Sequence, residues 1–212
     1  MAKTKSISPD LPTPSLPIWS ESLRALGSPL RRLRAEQCRR SLRKFLEAAW
    51  PVVEPAVLVP GWHIDAICEH VEAVTRGQIK NLLITVPPRH GKSTIVSVMW
   101  PCWEWIEHPE RRWLLAGYAE KPGHPRQRQS RRLISSNWYQ LNWGGNYELS
   151  EDVNNRHRME TSHGGHRIAL GTGGSATGEG GDRLILDDPH NLAVTWCAGA
   201  CWTGTTRSGA GQ

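Results

Sequence analysis

Gly91-Lys92-Ser93 is the part of this sequence best suited to hold an anion. A glycine in a sharp turn, followed by a lysine and a hydroxyl at the head of a helix, aims backbone N–H groups and partial positive charge at a phosphate. In such a loop Lys92 reaches the outer phosphate oxygens as a mobile point charge. The Ser93 hydroxyl would ligate a Mg2+ that bridges the same phosphates. Arg89 adds a second cation, and two neighbouring positive groups are costly unless an anion lies between them. The phosphate-contacting set expected from this loop is Pro88, Arg89, His90, Gly91, Lys92, Ser93 and Thr94. The complete pattern G-x-x-x-x-G-K-[ST] would place a glycine where Val86 stands. A proline-started surface turn, with Arg89 exposed and touching nothing, is the plain alternative.

A phosphate loop needs an acid at the end of a neighbouring strand. Leu184-Ile185-Leu186-Asp187-Asp188 supplies two. Asp187 would hold the Mg2+ hydration shell, and Asp188 would polarise the attacking water. Many enzymes of this kind place Glu second; Asp is one methylene shorter, so its water must sit closer. A strand ending in an Asx-type turn before Pro189 is the structural alternative. The glycine-rich stretch 171–182 precedes this strand and would let backbone approach a ligand. Thr177 and Asp182 are its weaker side-chain candidates.

These groups need a scaffold. The run 80–86 reads as a buried strand leading into the loop, and an apolar helix follows to about Trp105, kinked at Pro101. Trp113-Leu114-Leu115-Ala116-Gly117-Tyr118, Arg167-Ile168-Ala169-Leu170 and Arg183-Leu184-Ile185-Leu186 are further short strands. Helices are expected from Ser41 to about Pro51, from His63 to Arg76 with Gly77 as its stop, and from Leu133 to Leu141. Strands alternating with helices predict an α/β fold: a mainly parallel sheet with helices on both faces. Residues 1–35, rich in Pro, Ser and Arg, read as a disordered or loosely helical basic arm, and 36–193 as the folded domain. Arg31, Arg32, Arg34, Arg39, Arg40 and Arg43 suit either DNA phosphates or a solvated helix face, the second being the simpler reading.

Composition sets outer limits. With 212 residues there is room for one domain, and a net charge of +6 favours polyanionic partners without specifying them. The five cysteines are scattered and odd in number, which suits reduced thiols rather than a disulfide framework or a zinc site. No leader-type apolar region or membrane-length run is visible, so the expectation is a soluble protein of the cytoplasm.

The motifs together resemble a known family. Pro87-Pro88-Arg89-His90-Gly91-Lys92-Ser93 resembles the Walker A motif of the large terminase subunit of tailed phages, and Ser175 to Asp182 running into Leu186-Asp187-Asp188-Pro189-His190 resembles its Walker B region. Trp113 to Glu120 is similar to the strand after the first crossover helix, and Gly61-Trp62-His63 to the segment near the adenine pocket. The resemblance spans roughly residues 40 to 193 in order. It implies the additional-strand P-loop ATPase fold, ATP and Mg2+ as cofactors, and hydrolysis that drives double-stranded DNA into a procapsid. It assigns Lys92, Arg89 and Asp188 to catalysis, Ser93 and Asp187 to the metal, and Trp62 or His63 to the adenine region. The implied partners are double-stranded DNA, the terminase small subunit and the portal of the procapsid. The implied setting is the bacterial host cytoplasm, with several copies assembled on the portal.

Two stretches depart from the family. Residues 121–129 carry Pro122 and Pro125 where a helix is expected, and 194–212 are Thr-, Gly- and Ala-rich without periodicity. A shifted reading frame would explain both, a hypothesis that fails if neither alternative frame of the coding DNA yields a periodic helix. The nuclease that follows the ATPase in the family is not among these residues. Two other classes fit the motifs: another P-loop enzyme, helicase-like or a small-molecule kinase, and a truncated prophage remnant that binds without turnover.

Overall fold

A computed structural model of the chain describes residues 29–117, 125–150, 158–171 and 180–187. Helix α1 (Pro29–Arg40) is followed by α2 (Leu42–Val53), α3 (Trp62–Thr75) and a short α4 (Lys92–Thr94). A π-helical turn (Ile95–Met99) joins α4 to α5 (Trp100–Glu107). Strand β1 (Trp113–Gly117), helices α6 (Pro125–Ile134) and α7 (Asn137–Trp143), and strands β2 (Arg158–Glu160), β3 (His166–Gly171) and β4 (Arg183–Asp187) complete the order.

The fold is mixed α/β around a four-stranded open sheet, ordered β2-β3-β1-β4. Strands β3, β1 and β4 are parallel, with Trp113 level with both Arg167 and Arg183; β2 joins antiparallel to β3. Side chains alternate along a strand. Arg183, Ile185 and Asp187 therefore share one face of β4, together with Trp113 and Leu115 of β1. That face meets the 92–107 helix: Trp100 packs edge-on against Trp113, ring centroids 4.8 Å apart.

Helix α2 is started by Ser41, whose hydroxyl accepts the Lys44 N–H, and it buries Leu42, Phe45, Leu46, Ala49 and Val53. Phe45 is ringed by Trp138, Tyr139 and Trp143 of α7, so bulky rings fill the core between these helices. Helix α3 ends at Thr75, with Gly77 at φ +74°. Cys38, Cys68 and Cys102 are buried free thiols; burial pushes Cys68 up to about 12 and Cys102 up to about 11.

Several expectations need correction. The run 80–86 is not a strand of the sheet. Leu82, Ile84 and Val86 rest on the core while Leu83 is 90% exposed, so one face is covered and no ladder forms. Helices on both faces are not seen either: among the described residues Leu184 and Leu186 lie 63% and 61% exposed on the far face of β4. The helix expected over 133–141 is two, because Ser136 ends one turn and caps the next through the Tyr139 N–H. Of the two readings of the basic arm, residues 29–35 take the helical one, forming the first turns of α1. In α1, Arg39 and Arg40 pair with Glu36, Arg39 also meets Glu107, and the Trp103 indole donates to the Cys38 carbonyl. Pro125 begins α6 rather than breaking it, since a proline at the first helical position loses only an N–H that has no intrahelical partner. The remaining stretches, 1–28, 118–124 and 188–212 among them, lie outside the described residues, as do Thr177 and Asp188. Among the described residues no helix is long and apolar enough to cross a membrane.

Candidate functional site

The loop 87–91 and the end of β4 face one another. The Ser93 hydroxyl donates to Asp187 Oδ1 at 2.8 Å, and the Ser97 hydroxyl donates to Oδ2 at 3.1 Å. One turn of helix separates the two serines, so both reach the same carboxylate. Alternation along β4 turns Asp187 to the helix face, and α4 presents Ser93 immediately after the loop. The structure thus brings together the two residues expected to bind metal.

The loop itself is shaped by two left-handed residues, Gly91 at φ +77° and Arg89 at φ +67°. Gly91 is needed for that angle rather than for space: a Cβ there would meet Trp50 only at an ordinary 3.6 Å. Arg89 has no such licence, and a non-glycine residue held there carries strain of the kind that gathers at ligand sites. His90 Nδ1 lies 3.1 and 2.9 Å from the Pro87 and Pro88 carbonyls. Those oxygens can only accept, so Nδ1 carries the proton.

A cavity of about 530 Å3, within the range of small-molecule sites, opens beside the loop. The expected residues Pro88, Arg89, His90, Gly91, Lys92, Ser93 and Thr94 all line it. So do three residues that the sequence reading passed over: Trp50, Glu54 and Arg126. Glu54 Oε1 accepts from Thr94 Oγ1 at 3.2 Å and from the Gln129 amide at 3.1 Å, and Arg126 donates to Gln129 Oε1 at 3.2 Å. This chain ties α2, the loop and α6 around one opening. Trp50 and Glu54 stand one helical turn apart at the end of α2, a spacing the sequence does display. Arg126 was hidden by the flanking prolines. Among the described residues its lining carries Arg89, Lys92 and Arg126 against one carboxylate, Glu54, a balance that favours an anion.

The donors fit Mg2+. A hydroxyl and a carboxylate in contact are hard oxygen ligands, and Mg2+ characteristically takes one or two such groups and completes its shell with water and phosphate. Among the described residues no cluster of three or more His, Cys, Asp or Glu gathers elsewhere as a metal site. His63, from the segment compared with the adenine region, packs edge-on against His90 with centroids 5.3 Å apart; Trp62 is 82% exposed. Asp182 stands away from this group: it pairs with Arg112 at the opposite end of β4.

Compared with known proteins, the chain finds no match among protein-family models, curated sequences or solved structures.

Proposed function

We propose that this chain is the P-loop ATPase portion of a tailed-phage large terminase subunit, hydrolysing Mg-ATP to move double-stranded DNA into a procapsid. The observation that carries the reading is the 2.8 Å contact between Ser93 and Asp187, residues far apart in sequence that meet beside a cation-lined cavity. In this reading Lys92 and Arg89 hold the phosphates, Ser93 and Asp187 hold the metal, and Asp188 orients the attacking water. Mg2+, when bound, neutralises phosphate charge and so eases displacement at phosphorus. The partners are double-stranded DNA, the terminase small subunit and the portal of the procapsid, with copies assembled on that portal in the host cytoplasm. DNA contact would be mainly to phosphate, hence salt-sensitive and indifferent to sequence.

The test is ATP binding and hydrolysis by the purified chain, with and without double-stranded DNA. DNA-stimulated, Mg-dependent turnover is expected, and Asp188→Ala should keep binding while stopping hydrolysis. Turnover indifferent to DNA would favour another P-loop enzyme. One observation favours a non-catalytic remnant: among the described residues the run 80–86 before the loop has no strand partner, so no ladder among them anchors the loop's base. A folded chain that binds no Mg-ATP would support that second reading.

A further inference from the structure

Arg167 is the least expected group in the molecule. It sits on β3, 0% exposed, with no carboxylate partner among the described residues; its guanidinium donates to the Ser130 hydroxyl and to the Ser97 carbonyl. Desolvation lowers it to about 10, so it keeps its charge near neutral pH. A buried charge of this kind is costly and needs strong acceptors.

The acceptor on the helix side has a specific origin. Pro101 has no N–H, so it cannot donate to the carbonyl four residues before it, and that carbonyl belongs to Ser97. The helix widens to a π-turn over Ile95–Met99 just ahead of this proline. Arg167 supplies a charged donor to the same carbonyl. Ser97 is thereby held from two sides: its backbone oxygen by Arg167, and its hydroxyl in contact with Asp187 Oδ2 at 3.1 Å, in a position only 1% exposed.

Resting on the function proposed above, we infer that Ser97 is a positioning residue: fixed by Arg167 at a carbonyl that Pro101 cannot serve, it holds the Asp187 carboxylate in orientation for the metal. Ser93 would have a second task when a cation binds, presenting a lone pair to it while its proton stays on Asp187 Oδ1. Ser97 has no such second task and keeps Oδ2 in place. Partners that orient a metal-ligating carboxylate typically change metal affinity about 10–100-fold when removed.

The test uses Mn2+ with ADP as the probe. Mn2+ affinity in the ternary complex is read by electron paramagnetic resonance, and ADP binding in excess chelator by calorimetry. Ser97→Ala retains the backbone carbonyl for Arg167 and suits a helix interior, so the chain should fold, which its melting curve checks. The expected result is Mn2+ affinity reduced about 10-fold, with metal-free ADP affinity unchanged. A merely structural role would weaken both together or neither, and either outcome overturns the assignment. If the wild-type chain binds Mn2+ and ADP and Ser97→Ala binds them equally, the role of Ser97 falls while the nucleotide reading stands. If the folded wild-type chain binds neither, both fall.

Discussion

The two ends of the parallel sheet use charge in opposite ways. At the amino end two arginines are matched with carboxylates, Arg112 with Asp182 at 3.2 Å and Arg183 with the buried Glu104 at 2.9 Å. Arg167, level with Arg183, is held instead by the neutral oxygens of Ser130 and Ser97. At the carboxyl end Asp187 is held by two neutral hydroxyls, and the described residues lining the adjoining cavity include three cations and one carboxylate. The two ion pairs of the amino end are thus closed within the fold. Among the described residues, the cavity lining at the carboxyl end is rich in cations and hydroxyls, a setting that suits an anion together with a divalent cation. Open parallel sheets place ligands beyond the carboxyl ends of their strands, and the asymmetry here has that sense.

The sharpest way to break this comparison is Lys92→Ala. If the carboxyl end holds a triphosphate, affinity for Mg-ATP should fall at least ~100-fold, about 3 kcal/mol, with little change in melting temperature. Calorimetric titration measures it. Unchanged affinity would mean that the excess charge does not serve a nucleotide.

The matching experiment at the amino end is Glu104→Ala. It leaves Arg183 without its carboxylate and should destabilise the fold by about 2 kcal/mol. That is below the ~3–5 usual for breaking a buried pair, because Arg183 is 18% exposed and retains a contact with the Thr75 carbonyl. Urea denaturation reads the loss, and nucleotide affinity of the folded fraction should not change. A drop in affinity as large as that from Lys92→Ala would erase the distinction between the two ends.

How far this contrast was legible in the sequence depends on the kind of signal. Strands β1, β3 and β4 announce themselves as short apolar runs, and the alternation Arg183, Ile185, Asp187 turns the acid to the helix face. The loop shows itself through Gly91-Lys92-Ser93. The run 80–86 misled because its apolar character is as strong as that of a sheet strand, whereas only one of its faces finds a partner. β2 is three residues long and held by pairing with β3, which no local pattern reveals. Arg167 looks like an ordinary polar strand residue, and its acceptors, the Ser97 carbonyl and the Ser130 hydroxyl, come from helices distant in sequence. Arg126 and Glu54 enter the cavity only because α2 and α6 pack beside the loop. Tertiary placement, not local propensity, makes these residues part of the site.

Arg126 sharpens the comparison at the next level of effect. It lines the cavity but is shared with Gln129, so it should contribute less than Lys92. Arg126→Ala is expected to weaken Mg-ATP binding about 10-fold, near 1.4 kcal/mol, and Arg126→Lys by less, since a point charge survives without the planar fork. Competition against a labelled nucleotide distinguishes the two. Equal affinity for all three proteins would confine the functional cations to Arg89 and Lys92.

The smallest effect belongs to the exposed pair at the amino end. The Arg112 side-chain hydrogen bonds hold the Asp182 carboxyl below its usual range; burial opposes them, and the Arg112 backbone N–H at 2.9 Å adds to the lowering. A depressed folded-state pKa stabilises above the unfolded value near ~3.9 and ceases to do so as pH falls through the folded value. Asp182→Asn keeps an oxygen for the backbone N–H but removes the charge. At pH 7 its melting temperature should fall by at most about 3 °C, since both partners are substantially exposed to solvent and screened. The difference from wild type should shrink below pH 4, where the wild-type carboxylate is itself being protonated. A gap of the same size at pH 3 would show that the oxygen geometry around Arg112, and not its charge, is what the amino end relies on.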